Sequence, residues 1–137
     1  MPKERKACPA VIRDNSGRRE ILAFRHPLAG NQLVKGTIEA GENPEEAAVR
    51  ELWEESGVAG EAIAYPGMPG LPGAGQDWHF VLCRTGQPGE SWMHRTEDGG
   101  GLDFQFLWHP LSEADDDWHD LFRRALLFPR RALSVPL

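Results

Sequence analysis

Residues 36–58, GTIEAGENPEEAAVRELWEESGV, fix where a helix begins and ends and gather carboxylates along it. Asn43 is suited to the N-cap and Pro44 to the first helical position, where its missing N–H costs nothing. Glu46 stands where a capping-box acid reaches back to the cap. Gly57 follows the last periodic residue, as a left-handed C-terminal cap requires. At roughly 100° per residue, Ala48, Val49, Leu52 and Trp53 form an apolar stripe, and Glu51, Glu54 and Glu55 share an arc on the other side. The core face and the chemical face are therefore expected to be separate.

Between Glu42 and Glu55 stand six acids and one base, Arg50. Most acidic runs are solvated helix faces, but this one fits that description poorly. Glu51 and Glu55 are like charges four residues apart, which costs a helix roughly 0.2–0.5 kcal/mol. A bound divalent cation would remove that cost. Carboxylates without a nearby Cys or His favour a hard, oxygen-seeking ion, Mg²⁺ first and Mn²⁺ second, over Zn²⁺. The guanidinium of Arg50 can hold a carboxylate in a fixed fork, and Glu42 is the acid the segment supplies for it. Lys35, beside Gly36, either reaches a phosphate or is plain surface.

With 137 residues the chain reads as one domain over 1–137, long enough for one core and too short for two of normal size. The N-terminus has positive charge without an apolar h-region, and no stretch reaches the ~18 apolar residues of a membrane span. A soluble, cytoplasmic protein with no membrane partner is expected. Cys8 and Cys83 lack ligand spacing and lie in apolar stretches, so they read as buried free thiols. The net charge of −6 argues against nucleic-acid polymers, which need a basic footprint. It is compatible with a small anion that arrives with its metal.

Residues 7–13 and 20–25 read as a hairpin around the turn cluster Asp14-Asn15-Ser16-Gly17. A short strand is expected at 32–34, others at 61–65, 78–84, 91–95 and 102–108, and a Gly/Pro loop at 66–77. Residues 111–128 have the pattern of an amphipathic closing helix. Strands on both sides of a central helix, with the closing helix, give an α+β or α/β sandwich with a mixed sheet between helices. Trp53 and Trp108 are expected in the core, whereas Trp78 and Trp92 flank loops. The five histidines show no ligand spacing.

The spacing Gly36, five residues, Glu42, seven residues, then Arg50 through Val58 resembles the signature of the Nudix hydrolases at every defined position. The resemblance implies an α/β/α sandwich and a Mg²⁺-dependent hydrolase that cleaves a diphosphate linkage in a nucleoside diphosphate joined to another moiety. It implies Glu51, Glu54 and Glu55 as metal ligands, the Gly36 carbonyl as a further ligand, and Arg50 with Glu42 as an orienting pair. The general base varies in the family, and such enzymes often bring one more acid from a loop before a strand that ends in tryptophan. Here that loop is HRTEDGGG, residues 94–101, offering Glu97 and Asp98, with Glu97 preferred for its longer reach. Three glycines after the acids would let the loop swing over a bound ligand.

Substrate markers are weak. Pro72 lies fourteen residues past Val58, where ADP-ribose hydrolases of the superfamily often have proline at about fifteen, and the tyrosine of dinucleoside polyphosphate hydrolases is missing. The extended motifs associated with coenzyme A and NADH hydrolases are missing too. The alternative is a non-catalytic Nudix-fold protein that binds a nucleotide or regulates through one. Such proteins commonly lose motif glutamates, and this chain keeps all three. A small-molecule nucleotide is the expected partner, and a homodimer is left open.

Overall fold

The apolar alternation near the N-terminus builds the expected hairpin. In a computed structural model, which describes residues 4–67, 76–96 and 101–111, β1 (Glu4–Asn15) pairs antiparallel with β2 (Arg18–His26) from Ile12↔Ile21 to Asn15↔Arg18. Ser16 and Gly17 both have positive φ, the geometry that matches a two-residue turn to the twist of its strands. β3 is Gly30–Gln32, earlier than expected. The apolar pair Leu33 and Val34, which suggested a strand, instead buries one side chain in each of two cores.

Next come β4 (Gly36–Thr37), α1 (Pro44–Ser56), β5 (Gly60–Gly67), β6 (Gln76–Thr85), β7 (Ser91–Thr96) and β8 (Leu102–Pro110). They form one mixed sheet in the order β5-β6-β1-β2-β8-β7, with β3 against β2 and β4 against β1. Among the described residues β1 and β6 form the parallel pair, from Glu4↔Gln76 to Val11↔Cys83. The region expected to be a loop at 66–77 is strand at both ends, since β5 runs to Gly67 and β6 starts at Gln76. The closing helix expected at 111–128 lies outside the described residues apart from Leu111. So do Glu97 and Asp98. The class is α+β, with one helix on the sheet among the described residues. None of them forms a helix long and apolar enough to cross a membrane.

The two-residue period of the strands sends Ala7 and Val11 to one face and Cys8 and Ala10 to the other. The first face meets Ala48 and Leu52 of α1, together with Val81, Cys83, Phe104 and Phe106. Leu52 is fully buried, a contribution of roughly 1.5–3 kcal/mol from one side chain. The second face gathers Ile21, Trp78 and Phe80 around Cys8. Both thiols are buried and unbridged. Burial raises both pKa values, that of Cys83 to about 11, so neither is a ready nucleophile.

The helix departs from the expected division of faces. Its buried residues are Ala47, Ala48, Glu51, Leu52, Glu55 and Ser56, and Trp53 is 59% exposed. The sheet lies under the Ala48–Leu52 line and also under the adjoining acidic edge, so two acids turn inward and the tryptophan turns out. Trp108 is half-buried, with the Arg13 guanidinium 4.4 Å from its ring centre.

Candidate active site

β1 changes partners along its length. Residues 12–15 pair with β2, but Lys6 and Ala7 pair with Thr37 and Gly36 of β4 on the edge that β2 has left. This brings Gly36 beneath α1. A Cβ built on Gly36 would fall 1.9 Å from Cδ of Glu51 and 2.2 Å from each of its carboxylate oxygens. The Glu51 carboxylate thus occupies the place a side chain would need, and a larger residue at 36 would have to displace it from its bond with Arg50.

Sequence order puts Arg50 next to that carboxylate, and its guanidinium uses the whole fork. Nε and Nη2 donate to the two Glu42 oxygens at 2.8 Å each, and Nη1 donates to Glu51 Oε1 at 2.8 Å and Glu54 Oε2 at 3.2 Å. Nη2 also donates to the Thr37 carbonyl at 2.9 Å. The bonds from Arg50, with a further one from the Glu39 amide, hold the Glu42 carboxyl down at about 2. The same carboxylates, Glu42 foremost, push the Arg50 pKa up against a desolvation that lowers it. Arg50 and Glu42, paired in the sequence reading, thus meet in a bidentate contact. Thr37, which the sequence did not single out, anchors it through a backbone oxygen that no motif spacing reveals.

The N-terminus of α1 carries the full capping box. Asn43 Oδ1 accepts from the Glu46 amide at 2.8 Å and Glu46 Oε1 from the Asn43 amide at 3.1 Å. The C-terminus is electrostatically awkward, because Glu51, Glu54 and Glu55 crowd the negative end of the helix dipole and its last turn has no base. Gly57, at φ 77°, closes it by donating to the Trp53 carbonyl at 2.9 Å. β7 adds Trp92 Nε1 to the Ser56 carbonyl at 2.9 Å and His94 Nε2 to the Glu54 carbonyl at 3.1 Å. Neither side chain was legible as part of the site, since the contact depends on how β7 crosses the helix end.

The three motif glutamates have different surroundings. Glu51 and Glu55 are each 6% exposed, whereas the Glu54 side chain is 53% exposed. Lys35 is half-buried with Nζ 5.2 Å from the Trp78 ring centre. Burial, and then the neighbouring Lys6 ammonium, hold its pKa below the ordinary value. Lys35 is therefore more than plain surface, and Trp78, fully buried, belongs to the core. Among the described residues no group of three or more His, Cys, Asp or Glu is arranged as a metal cage. The donor chemistry nevertheless fits a hard cation: all-oxygen groups, one of them seated in a cradle that a Cβ at position 36 would fill.

Comparison with known proteins agrees with this layout. Residues 3–128 match the NUDIX domain model, and the chain belongs to that family, whose hydrolases generally use divalent metals. Over 65 residues the chain is 46% identical to an RNA pyrophosphohydrolase of Cereibacter sphaeroides, a match covering 44% of this chain and 38% of that protein. Over 58 residues it is 43% identical to an NAD-capped RNA hydrolase of Schizosaccharomyces pombe, covering 42% of this chain and 14% of that one. The matched stretch thus spans well under half the length of either relative. An ADP-ribose pyrophosphatase from Streptococcus suis has the same fold, with a TM-score of 0.69 at 16% identity, covering 97% of this chain and 91% of that one.

Proposed function

We propose that the chain is a Mg²⁺-dependent hydrolase, with Mn²⁺ as a substitute, that cleaves the diphosphate linkage of a nucleoside diphosphate joined to another group. The observation that carries this reading is the Glu51 carboxylate seated on Gly36 while Arg50 ties it to Glu42 and Glu54. A carboxylate is kept inside the protein against the main chain, on a helix whose adjoining acids outnumber its one base. Glu51, Glu54, Glu55 and the Gly36 carbonyl would hold the cation. When bound, the cation neutralises charge on the phosphates and activates the attacking water.

The protein's own groups do the rest. Arg50 and Glu42 hold the loop and helix in register, and Lys35 is the cation nearest Gly36 in sequence for a substrate phosphate. A carboxylate accepts the proton of the water, with Glu97 the candidate from the loop after β7. Two relatives are named for RNA substrates, so an RNA end belongs among the substrates to be tested despite the acidic balance of this chain. The small nucleotide remains the favoured partner.

A substrate panel tests the reading. It comprises ADP-ribose, NADH, dinucleoside polyphosphates, and 5′-triphosphorylated and NAD-capped RNA oligonucleotides, scored for release of phosphate or mononucleotide. The expected result is release that requires Mg²⁺. Activity that survives exhaustive chelation, or none on any member from folded protein with Mg²⁺ and Mn²⁺ supplied, would overturn it.

A further inference from the structure

The last four carbonyls of an α-helix have no partner within the helix. In α1 they belong to residues 53–56, the turn that carries two of the three motif glutamates. Gly57 serves the first of them. Two others are served from another strand, Ser56 by the Trp92 indole and Glu54 by His94.

The fit of His94 is close. A Cβ on Gly57 would come within 2.9 Å of its Nδ1 and 3.1 Å of its Cε1. The ring therefore lies flush against the helix terminus, and Gly57 provides both the left-handed φ and the room for it. A carbonyl only accepts, so Nε2 carries a proton and donates. This donor meets a helix end where three carboxylates and the dipole point the same way and no base in the last turn offsets them. The bond is also made to the backbone of Glu54 itself. Releasing that carbonyl would loosen the turn from which the Glu54 and Glu55 side chains project.

We infer that His94 is a positioning residue for the hydrolysis: it pins the C-terminal turn of α1 through the Glu54 carbonyl and so sets the Glu54 and Glu55 carboxylates. This rests on the hydrolase reading above. It goes beyond the motif, because His94 is forty residues from Glu54 in sequence and on a different element. Trp92 packs its ring on Phe106 at 5.3 Å, which anchors the same strand to the core.

The test compares wild type with His94→Ala, His94→Gln and His94→Phe. It measures kcat and KM on the substrate found in the panel, Mn²⁺ affinity of the substrate-free protein by electron paramagnetic resonance, and Tm. His94→Ala is expected to lower kcat by about tenfold with KM within about twofold, and to weaken Mn²⁺ binding by about tenfold. The amide of His94→Gln can donate to the same carbonyl and should restore most of both. His94→Phe keeps the ring volume without the donor, and should behave as the alanine variant if that one does not fold. A variant lacking the donor that loses only Tm, with wild-type kcat and Mn²⁺ affinity, would overturn the inference. So would a glutamine variant as impaired as the alanine one. If wild type turns over nothing on the panel, the hydrolase reading fails while the Mn²⁺ measurement still decides the role of His94.

Discussion

Two arginines organise opposite parts of the molecule, and the carboxylates around them differ in number. Arg13, on β1, donates from Nε to Glu20 at 2.8 Å and pairs with Glu90, while Arg18 takes the other Glu20 oxygen at 2.9 Å. Two guanidinium groups meet two carboxylates there, and the face of Trp108 covers one of them. Arg50 faces four carboxylates, those of Glu39, Glu42, Glu51 and Glu54. A charge-balanced network needs nothing further and reads as a tie between strands. One with surplus negative charge, part of it buried, is stabilised by a cation from outside. The difference is in keeping with the cation site proposed at the Arg50 end.

The sharpest break of that comparison is at the acids. Glu54→Gln and Glu55→Gln are each expected to lower kcat by about a hundredfold or more while the fold persists, because each removes charge proposed to hold the cation. On the balanced side, Glu90→Gln should leave kcat within about twofold, as its side chain is exposed and pairs with Arg13 rather than with Arg50. Steady-state kinetics with circular dichroism as the folding control checks both. Full Mg²⁺-dependent activity in either motif variant would remove the distinction between the two networks.

A smaller effect is expected from Glu97 and Asp98. Glu97→Gln should lower kcat by about tenfold, roughly 1.4 kcal/mol of barrier, and Asp98→Asn by less. Wild-type kinetics for both across the substrate panel would show that the acids on α1 suffice without a further carboxylate.

How much of this was legible in the sequence follows the range of each interaction. The helix bounds, the capping box and the Arg50–Glu42 fork were readable because they join residues at most eight apart. The hairpin was readable for the same reason. What failed was the side of α1 that faces the sheet, since periodicity orders residues around a helix but not which part of the arc a neighbour covers. The sheet extends under Glu51 because β4 enters beside β1, a pairing across thirty residues that no local pattern encodes. Trp53 was assigned to the core on hydrophobicity, although it stands next to the covered arc rather than within it. His94 was passed over as one of five histidines without ligand spacing and Trp92 was read only as flanking a loop, because the crossing of their strand with α1 is revealed by the fold alone.

The two arginines can be compared directly for stability. Arg50→Ala takes the guanidinium away from the Glu42, Glu51 and Glu54 carboxylates and from the Thr37 carbonyl. Arg13→Ala removes one of the two guanidinium partners of Glu20, which is 3% exposed, and uncovers Trp108. Each should cost about 1–3 kcal/mol in denaturant unfolding. Only Arg50→Ala is expected to lower turnover as well, by letting the loop and helix shift. Unchanged stability and unchanged activity in Arg50→Ala would end its orienting role. Equal loss of activity in both variants would mean that the Arg13 end is not merely structural.

The smallest effect expected is a pH dependence that separates the fork from ordinary packing. Glu42 falls from 4.5 to about 2 in the folded protein because Arg50 and the Glu39 amide bond its charged form. A depressed carboxylate contributes stability that is complete above the unfolded value and lost as pH falls through the folded one. The contribution of Glu42 should therefore be constant from neutrality to about pH 5, then fade between 4.5 and about 2. Tm measured against pH for wild type and Glu42→Gln should show a gap that is widest at neutral pH and closes across that window. A gap that stays constant down to the acid limit would assign the role of Glu42 to packing rather than charge. The contrast between Arg50 and Arg13 would then rest on the other three acids alone.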